Sequence, residues 1–529
     1  MKTPSVALLL LGLAISTADA QVSQEWVARY ASATPFSDVP YAMTVDAAEN
    51  IYVTGSTATA GSDNWGTIKY NSAGAQEWLR TLDGGGNDAA VAITTDDAGN
   101  VYVTGSSAGG LYSMTAKYSA AGNQLWVQSF TTTGEGDAGI DLAVDHDGNV
   151  YVTGYNVETP TSFDFLTVKY SPSGVELWVR RFDQGSGEDV PAAIACDESG
   201  IYVTGASNGE ITTIKYDFGG VQQWVRSYNG GFGSNAPADL VLDDAGNIYV
   251  TGQSTGNGTN DDFATIKYDA AGNELWARRY DGPSTVFAQD YDRAAALAVD
   301  PDGNVFVTGN SSDDFATVKY DAGGNEIWAR RHGLAASADW ATAIAVDASG
   351  NSYVTGSSFG NATSQYDFVT LSYDPSGTVR WTERYNGPAN GYETPYAIAV
   401  HASGNVYVSG SSVGTGTGPD YATIKYAPVT TSVEPQPQGS PSALALQSDP
   451  NPFTTTSRIS FTIPATNSEH VRLALYDVQG REVALLVNEV LSPGTHEREL
   501  SGSTLAAGVY WSRLQAGSRS ETRKLILVR

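Results

Sequence analysis

Short runs in which apolar residues alternate with small or polar ones cover most of the chain, and glycine or aspartate turns bound each run. Four such phrases recur in a fixed order with a period of about fifty residues. The first is typified by AIAVD. The second ends in Thr-Gly or Ser-Gly and closes at Gly55, Gly105, Gly154, Gly205, Gly252, Gly309, Gly356 and Gly410. The third, typified by ATIKYD, places tyrosine at Tyr70, Tyr118, Tyr170, Tyr216, Tyr268, Tyr320, Tyr373 and Tyr426. The fourth, typified by NELWARRY, supplies Trp26, Trp78, Trp126, Trp178, Trp224, Trp276, Trp328 and Trp381. Each phrase predicts one strand, so the chain predicts eight units of four strands.

Four-stranded units of this length are the blades of a β-propeller, and the expected fold is all-β with eight blades. The phase of the repeat adds a detail. Trp26 precedes the first complete unit, and no tryptophan phrase follows Tyr426. Residues 24–30 are therefore expected to pair with residues 422–427, closing the ring with the N-terminal strand and covering an open edge. Ordered outward from the axis, the strands are AIAVD, NVYVTG, ATIKYD and ELWARRY. The DxxGN turns, such as Asp145 to Asn149 and Asp269 to Asn273, share one rim. The other rim carries longer, variable loops, for example Ser254 to Asp262 and Asp281 to Arg293, where recognition is expected.

Residues 1–20 have the Lys2, apolar run and Ala18-Asp19-Ala20 of an export signal, so residues 21–427 are assigned to the propeller. A Pro, Ser, Thr and Gln stretch at 428–447 reads as a linker. Residues 448–529, with RISFTIP, VRLALYDVQGR and RKLILVR, predict a small C-terminal β-sandwich. Net charge is -29, which argues against nucleic acid as a partner. From Asp449 onward nine basic residues face eight acidic ones, so the acidity belongs to the propeller. No later run is apolar enough for a transmembrane helix. The single cysteine, Cys196, fills the slot that Val346 occupies in another unit and is expected to be a small core filler.

The unit DFATIKYDAAGNELWARRY with its AIAVD and GNVYVTG phrases resembles the SBBP-type β-propeller repeat of exported bacterial proteins, over about residues 24–427. The C-terminal segment resembles the type A sorting domain of the type IX secretion system. The residues that carry this likeness are Pro450, Asn451 and Pro452 at its start, Gly480 and Arg481 in LYDVQGR, then Gly508, Tyr510 and Lys524. The resemblance implies secretion or display at the cell surface, with the outer-membrane secretion machinery as a partner of the C-terminal domain. The tryptophan phrase also resembles the docking motif of eight-bladed quinoprotein dehydrogenases. That likeness implies an adjacent cysteine pair, which a chain with one cysteine lacks. A looser likeness to the Asp-box of sialidases comes without an arginine cluster and with the wrong blade count.

Seven of the nine lysines fall at one repeat position, Lys69, Lys117, Lys169, Lys215, Lys267, Lys319 and Lys425, with Ser372 as the exception. A structural role is expected, the stem packed between blades and the ammonium on an Asp or a carbonyl. The turn aspartates Asp46, Asp145, Asp243, Asp300 and Asp347 suggest calcium loops, but an Asp that caps its own turn explains the spacing without metal. No cofactor is assigned. No histidine pair has metal spacing and no nucleophile triad is recoverable.

The best candidate site lies at the entry to the third strand on the long-loop rim: Asp164, Asp262, Asp314, Asp367 and Asp420, with Asp63 beside Trp65, and Tyr291 in the longest interblade loop. Carboxylates next to aromatics such as Phe263, Tyr366 and Tyr421 suit a sugar or a cation, against the plainer alternative of a strand-entry turn. A noncatalytic binding module for a glycan or surface protein is the expected function. Its competitors are an extracellular glycan-active hydrolase or lyase and a structural surface component.

Overall fold

The computed structural model describes residues 22–529 apart from 33–35, 60, 132–135, 160–161, 186, 232, 257–259, 284–290, 334–337, 361–364, 430–443, 450, 452, 464–468, 493, 503–504, 518 and 529. The expected export signal lies outside the described residues. The chain divides into two compact units, Met1–Val429 and Thr430–Arg529.

The first unit is all-β and contains eight four-stranded antiparallel sheets. In chain order, sheets 1 to 7 span residues 39–82, 89–130, 137–182, 189–228, 235–280, 292–332 and 340–385. Sheet 8 takes three strands from residues 393–428 and its fourth from Val22–Tyr30. In that pairing Trp26 stands across from Lys425 and Tyr30 across from Tyr421. Each first strand packs on the first strand of the next sheet, and Val39–Val45 of sheet 1 packs on Glu393–Val400 of sheet 8. The second and third strands are covered on both faces by neighbouring sheets. They therefore read as unbroken buried runs, Ile51–Ala58 for instance, whereas the outer strands alternate.

A bulge explains the glycine that ends the second phrase. Each first strand shifts register near its start, between Pro40 and Ala42 in sheet 1, and this brings its backbone against the glycine opposite. A Cβ on Gly55 would lie 2.0 Å from the carbonyl oxygen of Val39.

The fourth-strand tryptophan docks on the next sheet. Trp78 donates from Nε1 to the carbonyl of Ala120 at 3.2 Å, and Lys69 donates to the same oxygen at 3.4 Å while lying 5.5 Å from the Tyr52 ring centre. The indole rests on Gly122, whose φ of 76° suits the turn and whose missing Cβ leaves room for the ring. The same triad of Trp, Lys and turn carbonyl joins sheet to sheet at Pro172, Phe218, Ala270, Ala322, Pro375 and Ser72. The ammonium is thus held by a carbonyl and an aromatic face. Ser372 departs from the lysine pattern for a topological reason. Sheet 8 has no turn between its third and fourth strands, because these come from opposite ends of the unit, so an ammonium in sheet 7 would have no carbonyl to meet. Arg380 reaches the Ser372 hydroxyl instead.

In the second unit one sheet is formed by Ala445–Asp449, Thr456–Ile463 and Gly494–Ser501, the other by Glu469–Asp477, Glu482–Leu491, Gly508–Ala516 and Arg519–Leu527. Leu446, Phe453, Phe461, Leu473, Leu514 and Leu525 share one core between them. Ala445–Gln447, which composition groups with the linker, belong to this sandwich because they pair with Ser460–Thr462.

Candidate functional site on the long-loop rim

The long-loop rim is built in layers. At the entry to each sheet the first strand is preceded or opened by a buried polar residue, Asp38, Asp88, Asp137, Asp189, Asn235, Asp292, Asp339 and Glu393 in turn. Sequence reasoning missed this ring, although its acids stand at a fixed offset before each AIAVD phrase. These carboxylates cap loop amides: Asp88 accepts from Gly84 and Ala108, and Asp38 from Ser32 and Ala58. Burial, followed by the opposing contributions of Ser412 and Arg29, pushes the Glu393 carboxyl up to about 7.

The third-strand aspartates form the next layer, and in four sheets each meets an arginine three residues after the tryptophan. Asp262 binds Arg279 at 2.6 Å, Asp314 binds Arg331 at 3.0 Å, Asp367 binds Arg384 at 2.9 Å and Asp420 binds Arg29 at 3.0 Å. The second-strand serine completes the clasp: Ser254, Ser311, Ser358 and Ser412 each offer a backbone carbonyl to the guanidinium. Acid and base are missing together in sheets 1 and 2, where Asn64 and Tyr112 accompany Thr81 and Ser129, while sheet 4 keeps an acid, Glu210, and has Ser227 at the arginine position.

The aromatics that follow these aspartates are core. Trp65, Phe263, Phe315, Phe368 and Tyr421 are fully buried, and Trp65 spends its indole N–H on the carbonyl of Ser106. Asp63 is half-buried, and its backbone N–H donates to Asn87. Tyr291 is half-buried under Arg293, whose guanidinium lies 4.9 Å from the ring centre and pairs with Asp261.

One group of aromatics on this rim does face solvent. Trp340 opens sheet 7, Phe359 and Tyr366 end and begin its second and third strands, and Tyr392 precedes sheet 8. Trp340 lies 4.7 Å from Tyr366, Phe359 packs on it edge-on at 5.5 Å, and Tyr392 stacks on it at 5.7 Å with 21° between the planes. Trp340 is 37% exposed and Tyr392 59%. Burial, then Tyr392, Asp339 and Asp313, raise the Tyr366 hydroxyl, so it stays a neutral donor at ordinary pH.

The opposite rim carries clefts between neighbouring DxxGN turns. One of about 520 Å³ is lined by Asp145, His146, Asp147, Lys169, Asp197 and Glu198. The turn aspartates are occupied by their own turns. Asp46 takes the amides of Ala48 and Asn50, the Asn50 carboxamide and the Tyr52 hydroxyl. Burial opposes ionisation there, but these bonds outweigh it and hold Asp46 below the usual carboxylate range. Cys196 is half-buried, and burial pushes its thiol up to about 12.

Two further carboxylates, Asp141 and Asp239, sit in the first strands of sheets 3 and 5. Asp141 accepts the amides of Leu142 and, across the junction, Ile194 at 2.9 Å; Asp239 does the same with Leu240 and Leu297. Burial pushes Asp141 up to about 7 and raises Asp239 as well.

In the second unit Asn451 ties the start of the domain to its last strand, accepting from the amide of Ile526 and donating to the carbonyl of Lys524. Gly480 closes the turn in which Arg481 pairs with Asp477, and the Tyr510 hydroxyl donates to the carbonyl of Ala506. Gly508 opens the strand that Lys524 pairs across, opposite Trp511. Pro450 and Pro452 lie outside the described residues.

A repeat-built β-propeller followed by a sandwich that ends the chain defines the class: a secreted or cell-surface propeller protein with its own export address. Residues 282–316 and 327–361 match the SBBP β-propeller repeat, and residues 450–528 match the secretion system C-terminal sorting domain of type IX secretion. Among curated proteins none matches this chain. Among solved structures it is similar to a protein from Lactobacillus plantarum at 14% identity, with a TM-score of 0.37 over 74% of this chain and 95% of that one. It is similar too to the β-propeller domain of the Trilobed protease from Pyrococcus furiosus, at 10% identity and a TM-score of 0.38 over 63% and 94% of the two chains. Prolyl oligopeptidase B from Galerina marginata gives 10% identity and a TM-score of 0.41 over 70% of this chain and 55% of its own. Likeness at this level carries no argument about activity.

Proposed function

We propose that the chain is a noncatalytic binding module for cell-surface or environmental glycans, built on an eight-bladed ring that its N-terminal strand closes. The observation that carries this reading is the solvent-facing group of Trp340, Tyr366 and Tyr392. Flat aromatic faces suit the apolar C–H face of a sugar ring, while the Tyr366 and Tyr392 hydroxyls offer partners for its hydroxyls. The buried ion pairs of the same rim give it a rigid base.

A glycan panel followed by thermal shift tests the reading on the full chain. A ligand at about 100 times its dissociation constant adds about 2.7 kcal/mol, a readily visible shift. Trp340→Ala and Tyr392→Ala are expected to abolish it, and Tyr392→Ala to do so without lowering the melting temperature of the free protein, since that ring is 59% exposed. No shift with any glycan class would overturn the proposal and favour a protein partner. An extracellular hydrolase is the second reading, resting on the raised pKa of Asp141 and Asp239. The amides that occupy both carboxylates favour binding over hydrolysis.

A further inference from the structure

Five sheets carry both the third-strand aspartate and the fourth-strand arginine, and in four of them the guanidinium fills the space between the aspartate and the second-strand serine. Sheet 3 has the residues, Asp164 and Arg181, but not the arrangement. Among the described residues no hydrogen bond or ion pair reaches the Asp164 carboxylate, and Arg181 is exposed. The serine position is taken by Asn156, which stands directly across from Asp164 in register and therefore on the same face of the sheet. Asn156 is 0% exposed, and neither its Oδ1 nor its Nδ2 has a partner.

Two more carboxylates converge on this place. Oxygens of Asp164, Asp183 and Asp189 all lie within 4.8 Å of one another. Asp189 is 0% exposed; its Oδ2 accepts the Gln184 amide at 2.8 Å, and its Oδ1 is buried with no partner. Asp183 is exposed and uses Oδ1 on the Gly185 amide. Burial, and then the neighbouring Asp183 and Asp189, raise the Asp164 carboxyl, as expected of acids crowded together without a counter-charge.

We propose that the junction of sheets 3 and 4 is a calcium site, in which Asp164, Asp183, Asp189 and the Asn156 carboxamide oxygen ligate the ion that takes the place of the guanidinium. All four are hard oxygen donors, the set that Ca²⁺ prefers. With Ca–O distances of about 2.4 Å, ligand atoms of one ion stand at most about 4.8 Å apart, and the three carboxylates meet that limit. The equivalent trio between sheets 5 and 6, Asp262, Asp281 and Asp292, also lies within that limit, but there Arg279 already binds Asp262 through two nitrogens. That junction is the internal control.

Calorimetric titration of the chelator-treated full chain with CaCl₂ alone tests the site. Saturable binding is expected, with a dissociation constant below about 1 mM as in extracellular calcium modules. Asp183→Asn alters an exposed side chain and leaves the buried packing in place; it is expected to weaken binding at least about 10-fold. Asp281→Asn is expected to leave binding unchanged. Absence of saturable binding overturns the site, as does binding that survives Asp183→Asn or that is lost equally in Asp281→Asn.

Discussion

The indole of Trp26 donates to the carbonyl of Ser72 at 3.1 Å, the bond that Trp276 makes to Ala322 between sheets 5 and 6. The N-terminal strand thus docks on sheet 1 as any fourth strand docks on its neighbour. Trp26→Ala is expected to cost about 3 kcal/mol, through lost burial and a lost hydrogen bond. Removing residues 21–33 is expected to cost more, since it also bares the edge of Pro419–Pro428. Denaturant titration of both variants measures the difference, and an unchanged midpoint for the deletion would sink the ring closure.

Ser372 is fully buried beside Arg380, with no turn carbonyl facing it. Ser372→Lys restores the repeat consensus and is nevertheless expected to destabilise by about 3 kcal/mol, because it buries an unpaired ammonium beside a guanidinium. A melting temperature equal to or above that of the parent would show that consensus, and not topology, governs the position.

Asp367 is buried against Arg384. Arg384→Ser alone leaves that carboxylate without its cation and is expected to cost about 3 kcal/mol. Arg384→Ser combined with Asp367→Asn is expected to cost less than the single change, because sheets 1 and 2 fold with neither charge. A double-mutant cycle reads the coupling directly.

Asp141 titrates near 7 in the fold against about 4 in an unfolded chain. Between those values the native state binds more protons than the unfolded one, so stability is expected to fall as pH rises through this window. Asp239, raised for the same reason, adds to the slope. Asp141→Asn keeps an acceptor for the Ile194 amide and removes the charge. It is expected to flatten the dependence and to raise the melting temperature by a few degrees at pH 8, measured by scanning across pH 4–8.

The strand order, the two rims and the N-terminal pairing were legible because each blade repeats one phrase, and the phase of Trp26 against Tyr426 leaves one strand to supply. The lysine at Lys69 and its equivalents was readable as structural, but its acceptor was not, since the carbonyl belongs to the next sheet. The joint loss of acid and base at Asn64 with Thr81, or Tyr112 with Ser129, was present in the sequence. It needed the strand register to be recognised as a pair. Trp340 and Tyr392 could not be brought together beforehand, because loops of unequal length carry them from different sheets. Asn156 is the instructive case: among the five sheets with both acid and arginine, its departure from serine marks the junction where the guanidinium is elsewhere.

The N-terminal strand has a kinetic consequence. Arg29 must find Asp420 across 391 residues of chain, one of the longest loop closures a unit of this size can require. A chain that emerges N-terminus first therefore holds its opening strand single until every blade has been made. The last blade is finished by the first residues to appear, so completeness is checked by construction: a propeller truncated before Pro419–Pro428 has no strand for Val22–Tyr30 to pair with and keeps an open edge for proteases to find.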